Sequence, residues 1–388
     1  SAASDVYKRQ TLYGLGYKNG SEAGAYFTVI ANPSLKWETQ ISTDIALEFG
    51  LFDRLTGTIE YFKKDSKDLL FDVSQPASVG VTSIIQNIGK VTNSGVEIEL
   101  DYNAFKNKDW SVSVGANATF VKNKIKNLPA TMKENGYISG SKKWLEGKSI
   151  YEFWLRQWHG VDPQTGDGLY VADVSKYNQG NIGTGDGNIT QSQFDEYKKT
   201  VVTIDGKELT NSYTYAKYDF SGSSIPDVYG GFNVRVSYKN FDLAAVFSYQ
   251  LGGQILDTNY ATMMSMTEFG YAQSPDLLKA WKQAGDITEV PRIDNSAAHT
   301  TNIGQSYSTR WLTSSDYLNL RSVTIGYQLP KTWLSKVMLK SARLNLTAEN
   351  LFMLKARQGL NPMANYSGVT YNEYMPSRNI TLGLNVSF

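Results

Sequence analysis

Hydrophobic and polar residues alternate along much of this chain with a period of two. From Trp37 to Phe49 every second residue is apolar or threonine, and the residues between them are polar or charged apart from Ala46. Successive side chains of a β-strand point to opposite faces, so this pattern predicts a strand with one apolar and one wet face. The pattern recurs and predicts nine strands, which begin near Trp37, Leu55, Val91, Trp110, Tyr229, Phe241, Tyr317, Arg343 and Arg378.

Three further segments are weaker strand candidates. Ala25–Ile30 precedes the nine predicted strands, and Tyr151–His159 and Gly168–Val174 lie in the long stretch between the fourth and fifth. Helical spacing is rare, and the exceptions, Pro275–Ala284 and Lys331–Lys340, are short enough to be loop helices. The pattern therefore predicts an all-β protein.

The connections between the predicted strands are of two kinds, which alternate along the chain. Leu51–Arg54, Asn103–Asp109 and Lys239–Asn240 are tight, and Pro330–Ser341 is of moderate length. The others are long and rich in Gly, Asn, Ser, Tyr and Trp. Short turns on one side and long loops on the other are typical of outer-membrane β-barrels. Because 124–226 leaves and returns on the external side, we expect it to contain either no spanning strand or two. The predicted external loops are 75–90, 124–226, 257–315 and 355–376.

Composition narrows the class of protein further. The longest unbroken apolar run is Leu243–Phe247, far short of the roughly 20 residues that a spanning helix needs. Aromatic residues make up 13% of the chain, with 25 Tyr and 8 Trp, which favours membrane entry as alternating strands. The formal net charge is only +1, so a nucleic-acid partner is not expected. Cysteine is absent and there are only two histidines, so we predict no enzyme activity.

Eight segments, in order along the chain, resemble one family. That family is the SusC/RagA-like TonB-dependent outer-membrane receptors of Bacteroidota, and the resemblance is to the C-terminal portion of their β-barrel. The segments are NPSLKWET (Asn32–Thr39), the strand ending GLFDR with its partner ending DSKDLL, NIGKVTNSGVEIEL (Asn87–Leu100), GVDPQTGDGLYV (Gly160–Val171), IPDVYGGFNVRVSYKNFDLAAVFSYQLGGQI (Ile225–Ile255), YLNLRSVTIGYQLP (Tyr317–Pro330), ARLNLTAENLF (Ala342–Phe352) and SRNITLGLNVSF (Ser377–Phe388).

The resemblance implies a transmembrane antiparallel up-and-down β-barrel. A family barrel has about 22 strands around a plugged lumen, and this chain supplies about 9–12 of them. An open sheet in lipid would leave edge N–H and C=O groups without partners. We therefore expect this chain to be a fragment of a larger receptor. The plug domain of that receptor is expected to lie outside this chain. Residues 1–10 are expected to be a non-native or unassigned edge, and 11–388 to be the partial barrel domain.

The resemblance also implies a function and its partners. A receptor of this kind, embedded as a multi-pass protein in the lipid of a Gram-negative outer membrane, binds an oligomeric glycan or peptide for import. A SusD-like surface lipoprotein covers the external loops, and TonB acts through the N-terminal plug region. No cofactor is implied. The alternatives are a passive outer-membrane pore and a soluble all-β carbohydrate-binding module.

Five tryptophans in the predicted external loops are candidate cargo contacts. Aromatic faces can stack on the apolar side of a sugar ring or on a peptide side chain, although packing within the loops is the commoner role of such rings. At least one of the five is expected to touch cargo: Trp144, Trp154, Trp158, Trp281 and Trp311.

Two other site predictions are more limited. Phe388 resembles the C-terminal aromatic residue by which the outer-membrane barrel assembly machinery recognises the last strand. Asp162, Asp167 and Asp186 lie in Gly-rich stretches and are a weak candidate set for Ca²⁺. The spacing of an EF-hand is not met, because Gln193 stands where the loop would need its final carboxylate. We therefore expect no metal site of that type.

Overall fold

The strands account for most of the regular structure. The computed structural model describes residues 10–75, 77–87, 89–183, 187–266, 270, 272–304, 307–334 and 339–388. In chain order the strands are β1 (Leu12–Asn19), β2 (Glu22–Val29), β3 (Thr39–Leu51), β4 (Leu55–Lys67), β5 (Leu70–Ser74), β6 (Ser83–Asn87), β7 (Lys90–Lys106), β8 (Trp110–Asn127), β9 (Tyr137–Ser139), β10 (Lys142–Trp144), β11 (Glu152–Arg156), β12 (Trp158–Val161), β13 (Gly168–Val171), β14 (Val201–Ile204), β15 (Lys207–Thr210), β16 (Tyr218–Ser223), β17 (Val228–Tyr238), β18 (Phe241–Leu251), β19 (Gln254–Leu256), β20 (Leu312–Ser314), β21 (Tyr317–Gln328), β22 (Ser341–Glu349), β23 (Met353–Lys355) and β24 (Asn379–Ser387).

Helices in the described residues are short. They are α1 (Gln191–Thr200), α2 (Thr258–Met263), α3 (Ala297–Ile303) and α4 (Lys331–Leu334), together with 3₁₀ turns at Ala77–Val79, Ala130–Met132, Gln179–Asn181, Tyr213–Tyr215, Pro275–Lys279 and Thr309–Trp311. Within the part of the chain that the structure describes, no helix is both long enough and apolar enough to cross a bilayer.

One large antiparallel sheet contains the nine strands predicted from the alternation. Its order is β24-β22-β21-β18-β17-β8-β7-β4-β3. The short strand β23 also belongs to it and pairs with the start of β21. Each predicted starting point lies within two residues of an observed strand start. The nine-strand prediction and the all-β, antiparallel fold are confirmed.

The tight turns of this sheet all lie at the same end of its strands. At this end Leu51 pairs with Leu55, Tyr238 with Phe241, and Ser341 with Ser387. Between β3 and β4, Phe52 and Asp53 both have positive φ (57° and 51°), and Arg54 N–H donates to the Leu51 carbonyl at 3.1 Å. This type I′ geometry matches the twist of the flanking strands. The long connections therefore all leave from the opposite ends of the strands. The sequence predicts that these ends are external, and they are called the external edge below.

The register places apolar and polar residues on separate faces. Ile59 lies directly between Leu47 and Ile98, and the next residue, Glu60, lies opposite Glu97. A one-residue slip would exchange the two faces, so the pattern and the register support each other. Near the ends of the strands that carry the tight turns, aromatic rings face each other across neighbouring strands at ring-centroid distances of 4.3 Å: Trp110 with Tyr238, and Phe241 with Tyr327. Rings in this position are typical of an interfacial girdle.

In its described residues, the long segment between β8 and β17 contributes no strand to the large sheet. β8 and β17 pair directly, from Trp110 with Tyr238 to Thr119 with Tyr229. Of the two options left open by the sequence, the absence of spanning strands is therefore correct. The candidate pair at Tyr151–His159 and Gly168–Val174 forms β11, β12 and β13 of smaller sheets. Its alternation reflects burial in a loop core, where Phe153 and Leu155 are fully buried. β8 also extends to Asn127, past residue 124, where the external loop was predicted to begin.

The remaining strands form small sheets outside the large one. β1 pairs with β2 in a separate hairpin, which contains the candidate strand near residues 25–30. β5 pairs with β6, and β19 with β20. The orders β16-β11-β10-β9 and β12-β13-β15-β14 each give a four-stranded sheet. The β1–β2 hairpin precedes the large sheet in the chain, and the other small sheets lie in segments that connect its strands at the external edge.

Candidate functional site

The external segments pack on one another around a shared core. Phe153 of β11 and Leu256 of β19 are fully buried there, and Val369 joins them from the segment that follows β23. The same contact is fixed through the backbone, because Leu256 N–H donates to the Gly368 carbonyl at 2.7 Å and Thr370 N–H donates to the Leu256 carbonyl at 3.2 Å. Three segments that are distant in sequence therefore form one external assembly.

Trp311 lies inside this shared core. Only 3% of its surface is exposed. The Arg310 guanidinium carbon lies 4.3 Å from the indole centroid, and the Tyr260 ring packs edge-on at 5.9 Å. A cargo molecule would reach this ring only if the core rearranged, so its observed contacts are those of packing.

Trp144 and Trp281 are half-buried and attach one loop to another. The Trp144 Nε1–H donates to the Ile150 carbonyl at 3.1 Å, and its ring packs edge-on against Phe71 of β5 at 5.3 Å. The Trp281 Nε1–H donates to the Pro163 carbonyl at 2.9 Å. Both rings satisfy their polar edge within the protein and keep part of their apolar surface exposed.

Trp154 and Trp158 lie on the two small four-stranded sheets, and each carries a cation near its ring. The Lys143 Nζ lies 4.0 Å from the Trp154 centroid, and the Arg310 guanidinium carbon lies 4.7 Å from Trp158. Trp154 also runs nearly parallel to Tyr218, with an interplanar angle of 15°. The structure thus distributes the five tryptophans over several places in the external assembly and does not gather them into one cleft.

The candidate calcium ligands are engaged with protein groups. Asp162 accepts hydrogen bonds from Gln164 N–H at 2.8 Å and from the Thr165 hydroxyl at 2.9 Å. Asp167 lies 3.2 Å from Arg292 Nη2 and 3.8 Å from Nδ1 of the buried His299. Asp186 lies outside the described residues. Among the described residues, no three His, Cys, Asp or Glu side chains are grouped so as to hold a metal ion.

A cavity of about 800 Å³ opens in the external assembly, and its lining combines polar side chains with a larger exposed area of apolar atoms. Its walls come from α2, from the 3₁₀ turn at Pro275–Lys279, and from 357–374. Thr258 and Thr370 hold two of these walls together, because the Thr258 hydroxyl donates to the Thr370 carbonyl at 2.6 Å. The cavity therefore has a fixed floor made from segments more than 100 residues apart in sequence.

Arg357 is held rigidly beside this cavity. Its Nη2 pairs with the carboxylate of Asp257, and its guanidinium carbon lies 3.5 Å from the centroid of the Tyr260 ring. Asp257 is only 4% exposed, caps α2 by accepting from Tyr260 N–H at 2.9 Å, and accepts from the Thr370 hydroxyl at 3.2 Å. A guanidinium between a carboxylate and an aromatic face loses most of its rotational freedom, so its remaining N–H groups have a defined direction.

The hydroxyl of Tyr260 extends this network to the opposite wall. It donates to Asp276 at 2.7 Å, and the Lys279 ammonium donates to the other oxygen of Asp276 at 2.6 Å. Burial and the hydrogen bond to Asp276 raise the pKa of Tyr260 to about 12, so the phenol stays protonated and remains a donor. Asp257, Tyr260, Asp276 and Arg357 were all missed in the sequence, because no local motif links them.

Comparison with known proteins identifies the family. The family model described as "TonB dependent receptor-like, beta-barrel" matches residues 2–351. The chain belongs to this family. The resemblance predicted from the eight segments is thereby confirmed, and the large sheet is part of a TonB-dependent receptor barrel. Family members are outer-membrane receptors and transporters of Gram-negative bacteria, not enzymes as a class.

Relatives in Bacteroidota match nearly the whole chain. It is 29% identical over 384 residues to TonB-dependent receptor P3 of Formosa agariphila, covering 94% of this chain and 36% of that receptor. It is 24% identical over 372 residues to TonB-dependent receptor SusC of Bacteroides thetaiotaomicron, covering 92% of this chain and 32% of SusC. The chain therefore spans about a third of the length of these relatives.

Solved structures confirm the fold. A structure of the RagAB peptide importer in its "closed-closed" state matches with a TM-score of 0.76 and 25% identity, covering 98% of this chain and 39% of that chain. The "open-open" state of the same importer matches with a TM-score of 0.71 at 25% identity. The large sheet and its external segments thus have the arrangement of the corresponding part of that importer.

Proposed function

We propose that the full-length receptor containing this chain imports an oligomeric nutrient across the outer membrane with energy from TonB. The observation that carries the proposal is the match of the TonB-dependent receptor barrel model to residues 2–351. The fold supports it, because tight turns lie at one end of the strands of the large sheet and a packed assembly with a cavity lies at the other end. The cargo is proposed to be a glycan or a peptide.

The proposed partners follow from the relatives. A SusD-like surface lipoprotein would cover the external assembly, as SusC and the RagAB importer among the relatives suggest. TonB would act through a plug region of the full-length receptor.

The exposed ring of Phe388 follows β24, and we propose that the barrel assembly machinery recognises it. In the full-length receptor, Phe388→Ser should lower the amount found in the outer membrane, and an unchanged amount would remove this role.

Five tryptophans remain proposed cargo contacts: Trp144, Trp154, Trp158, Trp281 and Trp311. Because Trp311 is buried in the shared core, its truncation would test folding as much as binding. The informative variant changes the other four to Ala. It should bind cargo more weakly than the wild-type receptor while retaining heat-modifiable migration on gels, which reports a folded barrel. Unchanged affinity would mean that these four rings serve only to pack the loops.

The import proposal is tested in the organism that carries the gene. Deleting the gene should abolish growth on one class of oligomeric nutrient, and the same growth should be lost when TonB is inactivated. Uptake that depends on this gene but continues without TonB would favour the passive pore instead. Membership in a receptor barrel family argues against the third alternative, a soluble carbohydrate-binding module.

A further inference from the structure

We infer that the cavity lined by Arg357 is a subsite for an uncharged glycosyl unit of the cargo. The inference rests on the proposed import function and deepens it by naming the chemistry of the ligand. A volume of about 800 Å³ lies in the range of small-molecule pockets. It exceeds what one or two water molecules need, so a unit the size of a sugar ring can enter.

The charges around the cavity are largely compensated within the protein. The Arg357 guanidinium is paired with Asp257, and the Lys279 ammonium is paired with Asp276 at 2.6 Å. Glu373 is different, because its carboxylate accepts from two neutral donors, the Asn365 amide and Tyr371 N–H, both at 2.8 Å. An acidic ligand would therefore meet an uncompensated carboxylate and no uncompensated cation among these groups. This charge balance disfavours sulfated, uronic or phosphorylated cargo.

The hydrogen-bonding groups suit hydroxyls. Arg357 has five N–H donors and no acceptor, whereas Glu373 is an acceptor that retains unused lone pairs. A hydroxyl can accept from the first kind of group and donate to the second, and neighbouring hydroxyls on a sugar ring can do both at once. The side-chain amides of Gln358 and Asn372 in the lining add groups of both kinds. The amides of Asn259, Gln273 and Asn361 also line the cavity, but they already make hydrogen bonds within the protein.

The backbone around the cavity is poorly suited to an extended peptide. Peptides commonly bind by adding a strand to an exposed sheet edge. Here Val369 already forms a parallel bridge with Leu256, and Thr370 N–H donates to the Leu256 carbonyl at 3.2 Å. Asn372 N–H donates to the Asn259 side chain at 3.1 Å. Because these backbone groups are engaged, ligand recognition falls to side chains, and those side chains favour a polyhydroxylated ligand.

The test uses the full-length receptor, purified from outer membranes together with any lipoprotein that copurifies. The probes are neutral heptasaccharides of α-glucan, β-glucan, β-mannan and β-galactan, an oligogalacturonate, and a tryptic digest of casein. Binding is measured by calorimetry, and growth on each probe is measured in the native organism. At least one neutral oligosaccharide should bind, and the oligogalacturonate and the peptides should not.

Two variants test the cavity itself. Thr262→Trp places a large ring on an exposed position of α2 that lines the cavity, away from the buried Asp257–Arg357 pair. Glu373→Gln removes one charge with little change of shape. Each should weaken binding of the neutral oligosaccharide by about tenfold or more, the usual effect of losing a charged hydrogen-bond partner or its access. Thr214→Trp, on an exposed turn outside the cavity lining, is the matched control and should bind as the wild type does.

The possible failures are distinguishable. If a neutral oligosaccharide binds and both cavity variants bind it as tightly as the wild type, the subsite is wrong and the import proposal stands. If peptides or the oligogalacturonate bind in its place, the ligand class is wrong. If none of the probes binds and deletion of the gene changes growth on none of them, the import proposal fails as well.

Discussion

At the scale of single residues, Val114 shows how the sheet separates its two faces. It lies in β8 between Tyr102 of β7 and Val234 of β17, on the apolar face. Five positions further along, Thr119 lies opposite Glu97 on the polar face. The same substitution at these two positions therefore places a charge either in lipid or beside a carboxylate.

We expect Val114→Arg in the full-length receptor to lower barrel stability by about 2–4 kcal/mol, the cost of an arginine near the bilayer midplane. Thr119→Arg is the control and should be tolerated, because its guanidinium can pair with Glu97 in an aqueous lumen. Urea titrations of the folded, heat-modifiable form would measure both changes. Equal destabilisation by the two variants would contradict the assignment of the faces.

Lys142 is a residue whose charge is opposed by its surroundings. Its Nζ donates to the Tyr151 carbonyl at 2.9 Å and lies 3.1 Å from the centroid of the Phe153 ring. Burial lowers the pKa of Lys142 to about 7, while Glu152 acts in the opposite direction. In the unfolded chain the amine keeps its usual pKa of about 10.4. The unfolded state therefore binds more protons between these two values, and the stability of this segment rises with pH across that window.

Lys142→Met keeps the length of the side chain and removes the buried charge. We expect it to stabilise the external assembly, and the gain should be larger at about pH 6, where the amine is charged, than at about pH 10. Protease resistance of 137–156, followed in the full-length receptor at both pH values, would measure the effect. The exposed Lys148, changed to Met, is the matched control. Equal gains at the two pH values would contradict the proposed burial cost.

At the scale of elements, alternation alone was sufficient to predict nine of the ten strands of the large sheet, all except the three-residue β23. Each of those strands has a wet face and an apolar face, so a period of two is visible in the residues themselves. The same pattern at Tyr151–His159 was ambiguous, because burial in a loop core also produces alternation, as Phe153 and Leu155 show. The cavity could not be predicted, since Asp257 and Arg357 pair across 100 residues of sequence and no local signal places Glu373 in the same lining.

One part of the external assembly, 158–216, is joined to the rest of the chain through two ends that lie close together. β12 to β15 and α1 form a unit with its own core, which includes the buried Phe194 and Tyr197. At its base, Gln157 N–H donates to the Lys217 carbonyl at 2.9 Å, next to the pairing of Arg156 with Tyr218. Gln157 and Lys217 are therefore placed like the two residues that flank the turn of a β-hairpin, so a two-residue turn can join them.

We expect that replacing 158–216 with Asn-Gly in the full-length receptor leaves the barrel folded. Contacts such as the hydrogen bond from the Tyr170 hydroxyl to the Asn302 carbonyl, 2.6 Å, would be lost, which should loosen only the external assembly. Outer-membrane yield and heat-modifiable migration are the measurements. Removal of 142–156, which carries Phe153 and Leu155 of the shared core, is the contrasting deletion and should reduce yield. Comparable loss from both deletions would contradict an independent unit.

At the scale of the whole molecule, the large sheet has two free edges among the described residues. β3 pairs only with β4, and β24 pairs only with β22. Exposed edge strands are templates for pairing with other chains. Refolded alone in detergent, the chain of 388 residues should therefore form mixed oligomers on size exclusion. A proline at a β3 residue whose N–H points away from β4 removes a donor from this free edge and should reduce that association. A uniform monomer without the substitution would contradict this expectation.

The direct pairing of β8 with β17 has a consequence for how such receptors diversify. Neighbouring strands lie about 4.8 Å apart, so the two points where the intervening segment departs and returns are adjacent whatever its length. Insertions, deletions or exchange of this segment between relatives then leave the neighbouring hydrogen-bond ladder untouched. Selection can thus vary what the cell surface recognises at this junction while the membrane-embedded frame is inherited unchanged.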